Sequence, residues 1–116
     1  MVYQPRLKIC GVTNAADARL VSASGADYCG ILVEVSASSR SLTLEEAAEV
    51  AAAATAPVVV LLCDPPRELA LEAARRISPH AIQLHGRESP DFAAGLRGAL
   101  RCQLWKALHV PPLAGE

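Results

Sequence analysis

The sequence predicts an α/β fold with a parallel sheet, and three features of the 116-residue chain support this prediction. Short apolar runs without polar alternation recur along the chain, as expected for strands that are covered on both faces. An Ala-rich stretch with helical spacing follows each of the first four runs, which gives right-handed βαβ units. Hydrophobic residues make up 52% of the chain and aromatic residues 3%, so small aliphatic side chains must fill the interior. We expect residues 1–116 to form a single domain.

Each element has its own signal in the sequence. The predicted strands are the apolar runs at 7–12, 27–35, 58–63, 81–86 and 102–110. The predicted helix starts are Thr13 or Asn14, Thr43 with Glu46 as a capping box, Asp64 before Pro65, and Ser89 before Pro90. The first, second and fourth helices should end near Gly25, Ala54 and Gly98, and the third carries Leu69, Ala73 and Ile77 on one face. The count is therefore β1α1β2α2β3α3β4α4β5.

Charge and cysteine usage exclude several classes of protein. The net charge is −1, with 11 basic and 12 acidic residues and no block of either sign, so we expect no nucleic-acid partner. The longest apolar stretch, 47–63, is interrupted by polar residues and proline and is too short for a membrane span. The start of the chain lacks the pattern of a signal peptide, and no cysteine has metal-ligand spacing. These observations predict a cytoplasmic protein with reduced thiols and no metal, in which Cys29, Cys63 and Cys102 are core residues.

Two architectures fit this order of elements. Five strands would complete an open flavodoxin-like sheet but not a (β/α)8 barrel, and periodicity does not distinguish the two. In both folds the active site forms at the carboxyl ends of the strands. The residues at those ends include several with reactive or charged side chains: Cys10, Arg40, Asp64, His85 and Lys106.

Four motifs in register along the chain resemble those of the phosphoribosylanthranilate isomerase family. They are Lys8-Ile9-Cys10-Gly11, Ser39-Arg40, Gln83-Leu84-His85-Gly86 followed by Glu88, and Lys106-Ala107. The resemblance covers the β1–β5 portion of that family. It implies a parallel (β/α)8 TIM-barrel type fold, truncated after about four and a half βα units.

The resemblance also implies a reaction. Family members carry out the Amadori rearrangement of N-(5-phosphoribosyl)anthranilate, an aminoaldose, to the aminoketose in tryptophan biosynthesis. Cys10 matches the catalytic base, which needs a cationic or polar neighbour to be partly ionised. Arg40, His85, Lys8 and Gln83 match substrate-binding positions, and no metal or organic cofactor is expected. The family's general acid and phosphate site belong to strands six to eight, so we expect the 116-residue chain alone to be inactive.

Simpler interpretations stand beside these. Cysteine is among the most buried residue types, so Cys10 without its motif would be a core residue, and Arg40 would be a solvated loop charge. Asp64 is predicted to cap a helix and Lys106 to be structural. If the chain is an enzyme, the alternative to this family is another phosphate-binding barrel enzyme. The residues of strand one disfavour that alternative.

The alternative function is a non-catalytic half-barrel. It would pair with itself or with a separate C-terminal fragment through exposed edges at β1 and β5. We expect Trp105, on β5, to lie on the face that a following helix would cover.

Overall fold

The computed structural model describes residues 4–112, in which five strands alternate with four helices. The elements are β1 (Lys8–Ile9), α1 (Ala15–Ala23), β2 (Tyr28–Leu32), α2 (Leu44–Ala53), β3 (Val58–Leu62), α3 (Arg67–Ile77), β4 (Ala81–Leu84), α4 (Pro90–Ala99) and β5 (Gln103–Lys106). The predicted order of elements is confirmed.

The order of the strands decides between the two architectures. The strands are all parallel and lie in the order β1-β2-β3-β4-β5. A flavodoxin-like sheet has the order 2-1-3-4-5, because its chain reverses direction across the sheet. Here each helix packs beside the next one along the chain, α1 on α2, α2 on α3 and α3 on α4. The helices therefore form one layer on one face of the sheet, as in a (β/α) barrel.

The sheet is strongly curved, and one contact demonstrates it. Lys8 Nζ on β1 donates a hydrogen bond to Gln83 Oε1 on β4, although β2 and β3 lie between these two strands. In a flat sheet, strands three positions apart would be separated by about 14 Å. The face without helices is therefore concave, and we call it the inner face.

The core has two parts, one on each face of the sheet. The larger part lies between the sheet and the helices, and its fully buried side chains include Ile31, Leu62, Ile82, Leu84 and Leu96. The smaller part lies on the inner face and contains Tyr28, Val59, Leu61 and Ala81 with Trp105 packed against them. Successive strand residues point to opposite faces. Leu104 packs in the larger part, so Trp105 points inward, and the prediction that a following helix would cover it is wrong.

Several boundaries differ from the sequence-based expectation. The predicted strand 7–12 is paired over Lys8–Ile9, because the chain turns at Gly11, where φ is +83°. The caps of Asn14, Thr43 and Ser89 are confirmed, since each side chain accepts a hydrogen bond from a backbone amide in the first helical turn. Asp64 does not cap α3. That helix begins two residues later than predicted, with Pro66 as its N-cap and no side-chain cap hydrogen bond.

Candidate active site

Cys10 lies directly after β1, at the rim of the inner face. It is exposed to solvent, and its Sγ atom lies over Gly30 on β2. A Cβ atom built on Gly30 would lie 2.7 Å from Cys10 Sγ and 3.1 Å from Cys10 Cα. Only a residue without a side chain leaves room for the thiol at this point. Gly30 was not among the predicted site residues, although glycine inside a strand indicates a close approach by another group.

Arg40 lies against the residue that follows Cys10. A Cβ atom on Gly11 would be 2.7 Å from Arg40 Cδ and 3.1 Å from its Nη1. The loop that carries Arg40 is fixed at both ends, since Val35 N donates to Ser41 Oγ at 2.6 Å and Glu34 N donates to Leu42 O at 2.9 Å. The structure therefore brings the exposed guanidinium and the thiol to the same corner of the rim.

Lys8 and Gln83 form a second group on the inner face. Besides its hydrogen bond to Gln83, Lys8 Nζ lies 5.9 Å from the centre of the Trp105 ring, a distance at which a cation is attracted to an aromatic face. Cys10 follows Lys8 by two residues and so shares its face of β1. The amino group of Lys8 and the amide of Gln83 thus lie below the thiol, on the same concave surface.

His85 lies at the rim, directly after β4, and is exposed. Its neighbour is His109, with the ring centres 5.0 Å apart and the rings nearly perpendicular. His109 Nε2 is also 3.1 Å from the backbone oxygen of His85. The ring contact of His85 shown by the described residues is thus with His109, in the segment after β5.

The four cysteines occupy different environments. Cys29 is buried, as predicted, and burial followed by the neighbouring Cys10 raises the pKa of its thiol. Cys102 is half-buried, and burial raises the pKa of its thiol too. The prediction that Cys63 is a core residue is wrong, because it lies just past the end of β3 and is exposed. Desolvation and the carboxylates of Asp64 and Glu88 raise the pKa of Cys63.

The ends of β3, β4 and β5 are joined by a network that the sequence did not reveal. Glu88 accepts hydrogen bonds from the backbone amides of Asp64 and Gly86 and forms an ion pair with Lys106 at 2.6 Å. Asp64, predicted to cap α3, instead accepts from the amide of Arg87 at 2.8 Å. The sequence analysis identified Glu88 only as the residue that follows the third motif, Gln83-Leu84-His85-Gly86.

The site therefore combines an exposed thiol, a nearby guanidinium, a hydrogen-bonded amine and amide on the inner face, and an imidazole at the rim. Such a set can remove a proton and hold an anionic planar group, because guanidinium forms paired hydrogen bonds with carboxylates. Within residues 4–112, no three His, Cys, Asp or Glu side chains are grouped so as to hold a metal ion. No helix in this part of the chain is long and apolar enough to cross a membrane.

Comparisons with known proteins give one consistent family. The family model described as N-(5'-phosphoribosyl)anthranilate (PRA) isomerase matches residues 7–114. A protein of Methanocella arvoryzae named N-(5'-phosphoribosyl)anthranilate isomerase is 38% identical over 109 residues, which covers 90% of this chain and 51% of that relative. The tryptophan biosynthesis protein TrpCF of Haemophilus influenzae is 35% identical over 89% of this chain and 22% of its own length.

Solved structures agree. The monomeric form of the dimeric phosphoribosylanthranilate isomerase from Thermotoga maritima superposes with a TM-score of 0.85 and 32% identity, over 94% of this chain and 56% of that one. The enzyme from Thermus thermophilus superposes with a TM-score of 0.77 and 31% identity, over 96% and 54% of the two chains. The chain spans about half the length of the single-function relatives that it matches.

Proposed function

Since the chain belongs to the N-(5'-phosphoribosyl)anthranilate isomerase family, we propose that it provides part of an active site for that isomerisation in tryptophan biosynthesis. The reaction is the Amadori rearrangement of N-(5-phosphoribosyl)anthranilate, in which an aminoaldose becomes an aminoketose without gain or loss of atoms. The observation that carries the proposal is the exposed Cys10 thiol beside Arg40, at the carboxyl end of β1. Active sites of barrel enzymes lie at that end of the sheet.

Cys10 acts as the general base in this proposal. Once the sugar ring has opened and the C1–N bond has become an iminium, the thiolate of Cys10 removes the proton from C2. The electron pair of that C–H bond then neutralises the iminium, which gives an enolamine that rearranges to the ketose. A thiolate is needed for this step, because the thiolate and not the thiol is the reactive form of cysteine.

Arg40 is also proposed to bind the substrate. Its planar fork suits a bidentate contact with the anthranilate carboxylate. Lys8 and Gln83, joined by their hydrogen bond on the inner face, are proposed to line the floor of the substrate site. His85 is proposed to contact the substrate from the rim.

The general acid is proposed to come from residues outside 4–112. Asp64 and Glu88, two carboxyl groups at the rim, already accept backbone hydrogen bonds, so neither is free to donate a proton to the ring oxygen. A missing acid–base group costs about 10²–10⁴-fold in rate. We therefore propose that turnover needs further residues for the acid and for phosphate binding.

Exposed apolar residues beside the outer strands support an assembly with such residues. Leu7 and Leu20 are 58% and 67% exposed near β1, and Leu108 and Val110 are 80% and 85% exposed after β5. Within the described residues, β1 pairs with β2 alone and β5 with β4 alone. We propose that both flanks are covered by a C-terminal half-barrel, with a second copy of this chain as the alternative. A cytoplasmic location is proposed from the family's biosynthetic role.

The proposal is tested by rescue of a tryptophan auxotroph that lacks the isomerase. The 116-residue chain alone is expected to fail, and co-expression with the C-terminal half of a related isomerase is expected to restore growth. In the restored pair, Cys10→Ser should abolish turnover, whereas Cys63→Ser, which alters another exposed rim thiol, should not. Rescue by the 116 residues alone would contradict the missing acid, and full activity of Cys10→Ser would contradict the proposed base.

A further inference from the structure

Glu88 has a buried carboxylate whose two oxygens are both fully engaged. Its side chain is 2% exposed. Oε1 accepts from Gly86 N at 3.0 Å and from Lys106 Nζ at 2.6 Å. Oε2 accepts from Asp64 N at 2.8 Å. One side chain thus joins the loop after β3, the loop after β4 and the end of β5.

Two further bonds close this network. Asp64 Oδ1 accepts from Arg87 N at 2.8 Å, and Lys106 Nζ donates to Gly86 O at 2.6 Å. The loops are in tight contact, because a Cβ atom on Gly86 would lie 2.5 Å from Asp64 Oδ2 and 2.8 Å from Asp64 N. Asp64 itself has φ +46°, a left-handed conformation that is strained for a non-glycine residue and persists where surrounding contacts enforce it.

The electrostatics favour the ionised form of the Glu88 carboxyl group. Burial alone would raise the pKa of Glu88, but the hydrogen bonds from Lys106 and from the amides of Asp64 and Gly86 outweigh it and hold the pKa below its ordinary value. Hydrogen bonds to an ionised group are among the stronger ones in proteins. Glu88 therefore holds the loops after β3 and β4 against the end of β5.

The candidate site residue next to this network is His85, which directly precedes Gly86 in the chain. Its own amide donates to Leu62 O at 2.8 Å, and its carbonyl lies 3.1 Å from His109 Nε2. The next amide along the chain, that of Gly86, is bound by Glu88. The backbone around the imidazole is thus fixed from three sides, although the ring itself is exposed.

We propose that Glu88 is a positioning residue that acts through His85, fixing the imidazole at the rim of the substrate site. This inference rests on the proposed function, which gives His85 its contact with the substrate. Neither Glu88 nor Lys106 touches the reacting atoms in this assignment. Their role is to keep three strand ends, and the histidine between them, in one arrangement.

The test compares Glu88→Gln with Glu49→Gln in this chain paired with the C-terminal half of a related isomerase, the form that is expected to turn over. Glu49 is an exposed glutamate on α2, so its variant controls for loss of one charge. In Glu88→Gln, amide hydrogen exchange at Asp64 and Gly86 should accelerate about tenfold or more, since a charge-assisted hydrogen bond is lost. The ring resonances of His85 should shift, while those of His80, which stacks on Tyr28 at the opposite end of the sheet, should not.

A double-mutant cycle measures the link to function. Glu88→Gln should lower kcat/KM on the order of tenfold, mainly through KM, and should lower it no further in a His85→Asn background. Multiplicative losses would overturn the proposal, as would unchanged His85 resonances. If the paired parent showed no turnover, the proposed function would be contradicted instead, and the exchange and resonance measurements would then decide the positioning role alone. If Glu88→Gln does not fold, Lys106→Gln takes its place, with smaller changes of the same sign expected.

Discussion

Gly30→Ala perturbs the site at its tightest point. Gly30 lies on β2 between two residues whose side chains are buried against the helices, so its missing side chain points to the inner face. An added methyl would lie 2.7 Å from Cys10 Sγ and 3.1 Å from Cys10 Cα. The sulfur can rotate away, but the Cα atom belongs to the backbone. The end of β1 must therefore move.

The size of the effect follows from these distances. Carbon atoms in contact prefer about 3.5–4.0 Å, so the backbone at Cys10 must shift by about 0.5 Å. Overpacking of this kind costs about 1–3 kcal/mol, and removing a strand glycine recovers about 0.5–1 kcal/mol. We expect the free energy of unfolding to fall by about 1–2 kcal/mol. Since a displacement of about 1 Å can cost 10²-fold in rate, kcat should fall on the order of tenfold.

Two assays separate the effects. Urea unfolding gives the change in stability, and the rate at which iodoacetamide alkylates Cys10, followed by mass spectrometry, gives the access to the thiol. The alkylation rate should fall in Gly30→Ala because the methyl covers one side of Sγ. This readout does not depend on isomerase turnover.

Gly98→Ala is the matched control. Gly98 lies in α4, where an added Cβ has no neighbour within 4 Å, so the change should stabilise the helix by about 1 kcal/mol and leave Cys10 unaltered. If Gly30→Ala left both the alkylation rate and kcat at their parental values, the thiol would not lie where this reasoning requires.

Three further predictions concern other parts of the molecule. Among the four thiols, the exposed Cys10 should be alkylated first, Cys63 more slowly because its raised pKa leaves less thiolate, and the buried Cys29 last; protection of Cys63 equal to that of Cys29 would contradict its exposure. Thr43→Ala should lower the free energy of unfolding by about 0.5–2 kcal/mol through loss of the capping box, and Thr43→Ser should restore most of it in urea titrations. The lowered pKa of Glu88 stabilises the fold above the ordinary glutamate value of about 4.3 and loses this effect as pH falls through the lowered value. Urea midpoints of the parent should therefore fall more steeply with acid than those of Glu88→Gln, and parallel curves would refute the assignment.

The elements could be predicted from the sequence because their signals are local. Thr43 and Ser89 cap helices with side chains that bond amides three residues away, and the apolar runs mark strands that need no distant partner to be recognised. The same local signal failed at Asp64. Its carboxylate instead accepts a hydrogen bond from the amide of Arg87, in the loop after β4. That partner lies 23 residues away and cannot be predicted from the residues next to Asp64.

The residues of the candidate site could be proposed from the sequence, but their geometry could not. Motif resemblance supplied Cys10, Arg40 and His85, whereas the pairing of Lys8 with Gln83 depends on sheet curvature. The error over Trp105 has a similar origin. The direction of a side chain depends on the strand's register, and an apolar run that is buried on both faces carries no alternation from which to read it.

The sequential order of the strands has a consequence for how the chain folds. Each strand pairs with the next one to be synthesised, and paired residues lie roughly 20 to 30 positions apart along the chain. Every βα unit can therefore dock on its predecessor as soon as it leaves the ribosome, and no strand must wait for a distant segment. The late event is the bending that brings Lys8 to Gln83.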